Sequence, residues 1–254
     1  MSVSITIFFF ILGAMFGSFL NAWVYRAHRH LSIFKGRSFC PKCKGKIAWY
    51  DNIPIVSFLI LRGKCRKCRK KISWQYPLVE LAVGLAFVFA LSQHGIVNYV
   101  ELIRDCVILF FLIFIFVYDL KYQEILDATT LPIALLLFIL GIVFRWHSWE
   151  SLAFGLVLGA GFFLAQYLVS RGKWIGGGDI RLGLLIGVIL GWPLTALALM
   201  LAYIAGAAVS IPFILAKKKK LASKVPFGTY LTLATFVTMY WGQGILDWYL
   251  GLLF

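Results

Sequence analysis

Three glycines closed by an acid, Gly176-Gly177-Gly178-Asp179, stand between two hydrophobic stretches of the chain. A carboxylate at membrane depth is costly, so its presence marks a place where chemistry is expected. The glycines ahead of it permit a close backbone approach that any side chain would block. One acid alone does little hydrolysis, but Asp119 and Asp127 lie at the end of an earlier apolar stretch, in Tyr118-Asp119-Leu120-Lys121-Tyr122-Gln123-Glu124-Ile125-Leu126-Asp127. Two carboxyl groups can divide the work of peptide hydrolysis: the ionised one activates water and the protonated one donates to the carbonyl. Close together they do not both ionise easily, and their proton affinities split. Asp179 opens a helix, near the positive end of its dipole, whereas Asp119 ends one; Asp119 is therefore expected to hold the shared proton more often. Asp127 competes with Asp119 for the second role, and its alternative is to start the next helix as a cap.

The second constellation is Cys40-Pro41-Lys42-Cys43 and Cys65-Arg66-Lys67-Cys68, two Cys-x-x-Cys pairs with 21 residues between them. Four thiolates at this spacing suit tetrahedral zinc, and a closed four-sulfur shell leaves no open position for catalysis. The ion is expected to staple the loop. Pairs facing a reducing cytosol argue for metal over disulfide. Cys106, alone in an apolar run, is expected to pack. Glu80, just inside an apolar stretch, needs a partner such as Arg62 or a ligand amine. The dense aromatics and cations of the same segment (Trp49, Tyr50, Trp74, Tyr76) fit interfacial contact with anionic lipid better than a platform for single-stranded nucleic acid.

The elements that must position these groups are membrane helices. Of the 254 residues, 61% are hydrophobic, and the mean hydropathy is +0.88, well beyond a soluble domain. Eight spans are expected: about Ile5–Tyr25, Pro77–Leu91, Ile103–Tyr118, Leu131–Phe144, Leu152–Val169, Ile180–Leu190, Leu194–Leu215 and Pro226–Phe254, the sixth being short. The first reads as a retained span, because no basic segment precedes it and no clean cleavage site follows. Of 25 Lys and Arg, 14 lie between Arg26 and Lys71, and clustered cations mark the cytoplasmic side. Counting crossings from an outside N-terminus puts that segment, both acid-bearing loops and Lys217-Lys218-Lys219-Lys220 on the same cytoplasmic face. Gly155, Gly159 and Gly161 have the spacing of close helix packing.

Taken together, these residues resemble the prepilin peptidases, the type IV leader peptidases with a Gly-x-Gly-Asp aspartyl site. The likeness includes Gly17-Ser18-Phe19-Leu20-Asn21 with Tyr25-Arg26, both Cys pairs, Trp49-Tyr50-Asp51-Asn52-Ile53-Pro54 and Leu61-Arg62-Gly63. It continues through Tyr76-Pro77-Leu78-Val79-Glu80, Asp119 with Asp127, Gly176 to Asp179, and Pro226-Phe227-Gly228. The resemblance implies a multi-pass enzyme of the bacterial inner membrane that removes the leader from pilin-like precursors on the cytoplasmic side. Its catalytic acids would fall on Asp119 and Asp179, with Gly176, Gly178 and Asp127 supporting the loop. Zinc would sit on Cys40, Cys43, Cys65 and Cys68. It also implies N-methylation of the freed residue with S-adenosylmethionine as donor, and Glu80, Arg62 and Asn21 are candidates for methyltransferase or substrate contacts. Three parts are then expected: a first transmembrane helix (1–25), a cytoplasmic four-cysteine zinc-binding segment associated with methylation (26–76) and a polytopic aspartyl peptidase domain (77–254). The partners would be precursor proteins and lipid, not nucleic acid. The rival reading is a membrane-anchored zinc module that binds nucleic acid or a partner protein, with the aspartates structural.

Overall fold

The computed structural model describes residues 2–33, 35–215 and 226–252; the lysine run at 217–220 lies outside them. Among the described residues the protein is all-α, apart from two isolated antiparallel bridges. The helices are α1 (Val3–His28), α2 (Val56–Ile60), α3 (Gln75–His94), α4 (Tyr99–Tyr122), α5 (Asp127–Val143), α6 (Trp149–Ser170), α7 (Gly177–Leu190), α8 (Leu194–Leu215) and α9 (Phe227–Gly251), with a 3-10 turn at Trp49–Asn52. All except the short α2 fall on the eight expected spans, with ends displaced by a few residues. Four of them, α1, α3, α6 and α8, are by length and composition apolar enough to cross a bilayer. Two of the others, α7 and α4, fall short for visible reasons. At 14 residues, α7 rises only about 21 Å against a hydrocarbon core of about 30 Å. Helix α4 carries Arg104 and Asp105 towards one end and Asp119 and Lys121 towards the other.

The chain forms two compact units, residues 1–114 and 115–254. In the first, α1 lies against α3 so closely that a Cβ added at Gly17 would stand 2.7 Å from the Glu80 Cα. Trp23 packs on Phe110, Phe111 and Phe114. Asp105, 1% exposed, is held by His94 Nε2 at 2.7 Å and by Arg104 Nε at 2.8 Å. Arg104 thus neutralises a buried acid.

In the second unit α6 and α7 pack through reciprocal glycine pairs. A Cβ at Gly155 would stand 2.8 Å from the Gly187 carbonyl oxygen, and one at Gly159 would strike the Gly183 carbonyl. Gly161 faces open space, so the expected close packing holds for the first two glycines and not for the third. This tight pair, backed by α5, α8 and α9, fixes where α7 begins, and with it Asp179.

Candidate active site and metal centre

Asp119 occupies the last turn of α4 and is 4% exposed. Its carboxylate oxygen Oδ2 accepts hydrogen bonds from the Thr229 backbone N–H at 2.8 Å and from Thr229 Oγ1 at 3.1 Å. Thr229 is in the first turn of α9, where backbone N–H groups have no partner inside the helix. Asp119 therefore caps a second helix while ending its own. The expectation that Asp119 keeps the shared proton weighs only the C-terminal end of its own helix; the N-terminus of α9 supplies the opposite field and favours the carboxylate. Asp179 sits in the first turn of α7, partly exposed, and its Oδ2 accepts the Gly176 N–H at 3.1 Å. The two carboxyl groups lie within electrostatic reach of each other.

Glycines bring these turns together. A Cβ at Gly228 would lie 3.0 Å from Asp119 Oδ2, and one at Gly178 would lie 2.9 Å from the Ile125 Cβ. Ile125 also approaches Gly228, with Cδ1 3.3 Å from where a Cβ would stand. The loop after Asp119 thus seats on the first turns of α7 and α9. Gly176 is the N-cap of α7. Asp127 stands apart: exposed at the start of α5, with Leu126 and not itself at the cap position, it pairs with Arg181 at 2.7 Å. Thr229 carries no sequence signal beyond its place directly after Pro226-Phe227-Gly228.

The four cysteine sulfurs all lie within 4.8 Å of one another. Tetrahedral zinc with bonds of about 2.3 Å needs sulfurs roughly 3.8 Å apart, so the set fits the ion. Each pair is built the same way. The Cys40 N–H bonds to the Gly45 carbonyl and the Lys44 N–H to that of Cys40; the Cys65 N–H bonds to the Lys70 carbonyl and the Arg69 N–H to that of Cys65. Lys44 and Arg69 both take φ of 57°. The bridges Phe39–Lys46 and Lys64–Lys71 close the two turns in equivalent register. The Cys68 N–H, with help from Lys67, pulls the Cys65 thiol down to about 7 despite some desolvation. At Cys68 the Lys70 N–H favours the thiolate, but partial desolvation and the neighbouring sulfurs push it up to about 11. Cys106 is buried, in keeping with a packing role.

Glu80 on α3 and Asn21 on α1 each make polar contacts where the two helices pack. Glu80 Oε2 accepts the Ile55 N–H at 2.7 Å, and Asn21 Nδ2 donates to the Tyr76 carbonyl at 3.1 Å while its Oδ1 accepts from Gln75 at 3.2 Å. Ile55, a β-branched residue, is held at φ 61°, a conformation that costs energy. Arg62 takes no part in these contacts; it lines a separate basic cavity with Lys64, Arg66 and Arg69. Buried Arg26 donates to the carbonyls of Ser32, Ile33, Lys35, Gly36 and Arg37.

Residues 11–94 match the Bacterial Peptidase A24 N-terminal domain, and residues 106–211 match the Type IV leader peptidase family. A prepilin leader peptidase/N-methyltransferase of Legionella pneumophila is 31% identical over 87% of this chain and 78% of its own length. Proteins of the same description from Klebsiella pneumoniae (34% identical; 77% of this chain, 89% of the relative) and Stutzerimonas stutzeri (29%; 94% and 92%) are similar as well. No solved structure matches the chain. The chain belongs to the type IV leader peptidase family, and it is an enzyme.

Proposed function

We propose that the protein is a membrane aspartyl endopeptidase that removes the leader peptide of type IV prepilin-like precursors at the cytoplasmic face of the bacterial inner membrane. In this reading it also N-methylates the residue so exposed. The observation that carries the first activity is the pairing of Asp119 and Asp179 from separate helices, one sealed and one partly open. In this reading the partly exposed Asp179 is the acid that peptide and water reach first.

Asp119, with two hydrogen bonds from Thr229, is the better-stabilised carboxylate and takes the proton of the attacking water. Asp179 starts protonated and donates to the scissile carbonyl oxygen, and as the tetrahedral intermediate collapses a proton passes to the leaving amine. The pair titrates as a unit. Zinc held by Cys40, Cys43, Cys65 and Cys68 would supply structure, fixing the two turns of the 40–71 loop. The cationic wall of the Arg62 cavity does not fit the positively charged sulfonium of S-adenosylmethionine.

Asp119→Asn and Asp179→Asn should each abolish leader removal while the protein stays folded in the membrane. Either variant cutting a pilin-like precursor at the wild-type rate refutes the two-acid mechanism. Mass measurement of the product with S-adenosylmethionine present tests the second activity, which requires an added methyl group. The four-cysteine cluster among so many cations supports one rival, a zinc module that binds nucleic acid or a protein partner. That reading expects Cys65→Ser to destroy function and both Asn variants to keep it.

A further inference from the structure

Beside the second cysteine turn lies a cavity of about 350 Å³ walled by Ile60, Leu61, Arg62, Lys64, Arg66 and Arg69. Four of its six wall residues are cations and none is an acid. Arg66 is already committed: its Nε and Nη2 hold both carboxylate oxygens of Asp51 at 2.7 to 3.1 Å, and its guanidinium lies over the Tyr50 ring. Among the described residues no side-chain hydrogen bond or ion pair engages Arg62, Lys64 or Arg69.

The depth of this cavity is set by α3. The Ile55 N–H is bonded to Glu80, the sixth residue of a helix long and apolar enough to span a bilayer. At 1.5 Å per residue that bond lies about 8 Å inside the start of the helix. Phe58 packs on Trp74, the residue just before α3, with ring centroids 4.9 Å apart. Helix α2 therefore runs beside the opening turns of a spanning helix, where hydrocarbon gives way to water. There it exposes apolar side chains: Leu59 is 66% and Ile60 70% exposed, next to Val56 and Ile53. Bare branched side chains are costly in water and favourable against acyl chains. Unpaired cations beside them at that level attract anionic headgroups.

We propose that this cavity holds the phosphate of an anionic phospholipid headgroup, with Arg62, Lys64 and Arg69 as its ligands and the acyl chains lying along Leu59 and Ile60. A guanidinium can meet two phosphate oxygens at once, and Lys64 adds a point charge. The site anchors the cysteine-bearing loop to the membrane surface by a contact separate from its helices.

The test uses the full-length, zinc-loaded protein in a neutral detergent, titrated calorimetrically with short-chain phosphatidylglycerol, phosphatidylcholine of the same chain length, glycerol phosphate and a single-stranded oligonucleotide. Phosphatidylglycerol should bind most tightly. The triple variant Arg62→Gln, Lys64→Gln, Arg69→Gln should weaken it about fivefold per cation, on the order of 100-fold in all, while keeping its zinc. Arg62→Lys with Arg69→Lys should stay within a few-fold of wild type. Should the triple variant lose its metal, Leu59→Ser with Ile60→Ser decides: phosphatidylglycerol should then bind no better than glycerol phosphate. The proposal fails if the triple variant, with its zinc intact, binds phosphatidylglycerol as wild type does. It fails equally if glycerol phosphate matches the lipid on the wild-type protein, or if the oligonucleotide outcompetes it. None of these readings depends on peptide cleavage.

Discussion

Replacing Gly159 with alanine adds one methyl group at a position remote from the acids, yet it should cost most of the activity. The new Cβ would lie 2.9 Å from the Gly183 carbonyl carbon, with the oxygen nearer still, whereas ordinary contact begins near 3.4 Å. Both sides of the clash are backbone, so no rotamer change relieves it, and α6 and α7 must slide or part by on the order of 1 Å. Overpacking of this kind costs about 1–3 kcal/mol, partly offset by the roughly 1 kcal/mol alanine gains over glycine in a helix. The net loss of stability is therefore small, and the protein should still fold. Position is another matter. Gly183 lies one helical turn beyond Asp179 on α7, so the displacement reaches the acid directly, and a misplacement of about 1 Å can cost about 100-fold in rate.

The internal control is Gly161→Ala, two residues away on the same helix, where an added Cβ meets nothing within 4 Å. It should leave stability within about 0.5 kcal/mol, or raise it slightly, with cleavage unchanged. The assay is kcat/KM on a pilin-like precursor, alongside thermal melts of both variants in the same detergent. Wild-type cleavage by Gly159→Ala would refute the claim that α6 sets the place of Asp179. Equal losses in both variants would refute it too.

The remaining expectations concern single contacts. Thr229→Val removes the hydroxyl donor to Asp119, and a hydrogen bond to a charged group is worth about 1.5–3 kcal/mol, so kcat/KM should fall roughly 10- to 100-fold while Thr229→Ser stays near wild type; a fully active Val variant refutes the donor's role. Asp127→Asn breaks an exposed pair with Arg181 worth about 0–1 kcal/mol, so its rate should change less than fivefold, and a loss as deep as that of Asp119→Asn would put Asp127 into the chemistry. Arg26→Ala leaves five carbonyls without their donor and should speed hydrogen exchange and proteolysis across 32–37, which unchanged protection would contradict. Metal binding should respond to acid: the Cys65 thiol, held at about 7 against an ordinary 9.0, is present as thiolate above that range and lost as pH falls through about 7. Chelator competition should therefore become markedly easier below neutral pH, and a flat affinity from pH 8 to about 6 would show that the thiols do not hold the metal.

What residues alone disclose is whatever repeats locally. Apolar stretches locate the long helices, Cys-x-x-Cys locates the metal set, and glycines at helical spacing locate the α6 face that meets α7. The departures all come from partners distant in the chain. Gly161 shares the composition of Gly155 and Gly159 but not their direction, since no period of 3.6 carries it onto the same stripe. The two cysteine turns do repeat in sequence, as Cys-x-Lys-Cys-x-x-Lys-Ile at 40–47 and again at 65–72, whereas the carbonyl partners and the φ at Lys44 and Arg69 are not written in residue types. Charge alone pairs Arg62 with Glu80; the buried acid instead accepts a backbone N–H from Ile55, which leaves the arginine outside.

The acids show the same limit in its sharpest form. Asp119 and Thr229 are 110 residues apart, and no local pattern says that the start of α9 will face the end of α4. A helix end read in isolation carries the sign of its own dipole. A helix end packed against the beginning of another takes the sum, and here the second contribution arrives with two hydrogen bonds attached. That sum is why we propose the sealed acid, and not the open one, as the group that takes the water's proton. A site-resolved titration of the dyad in Thr229→Val should bring the two acids' proton affinities closer together than in wild type; an unchanged split would mean that α9 contributes only packing.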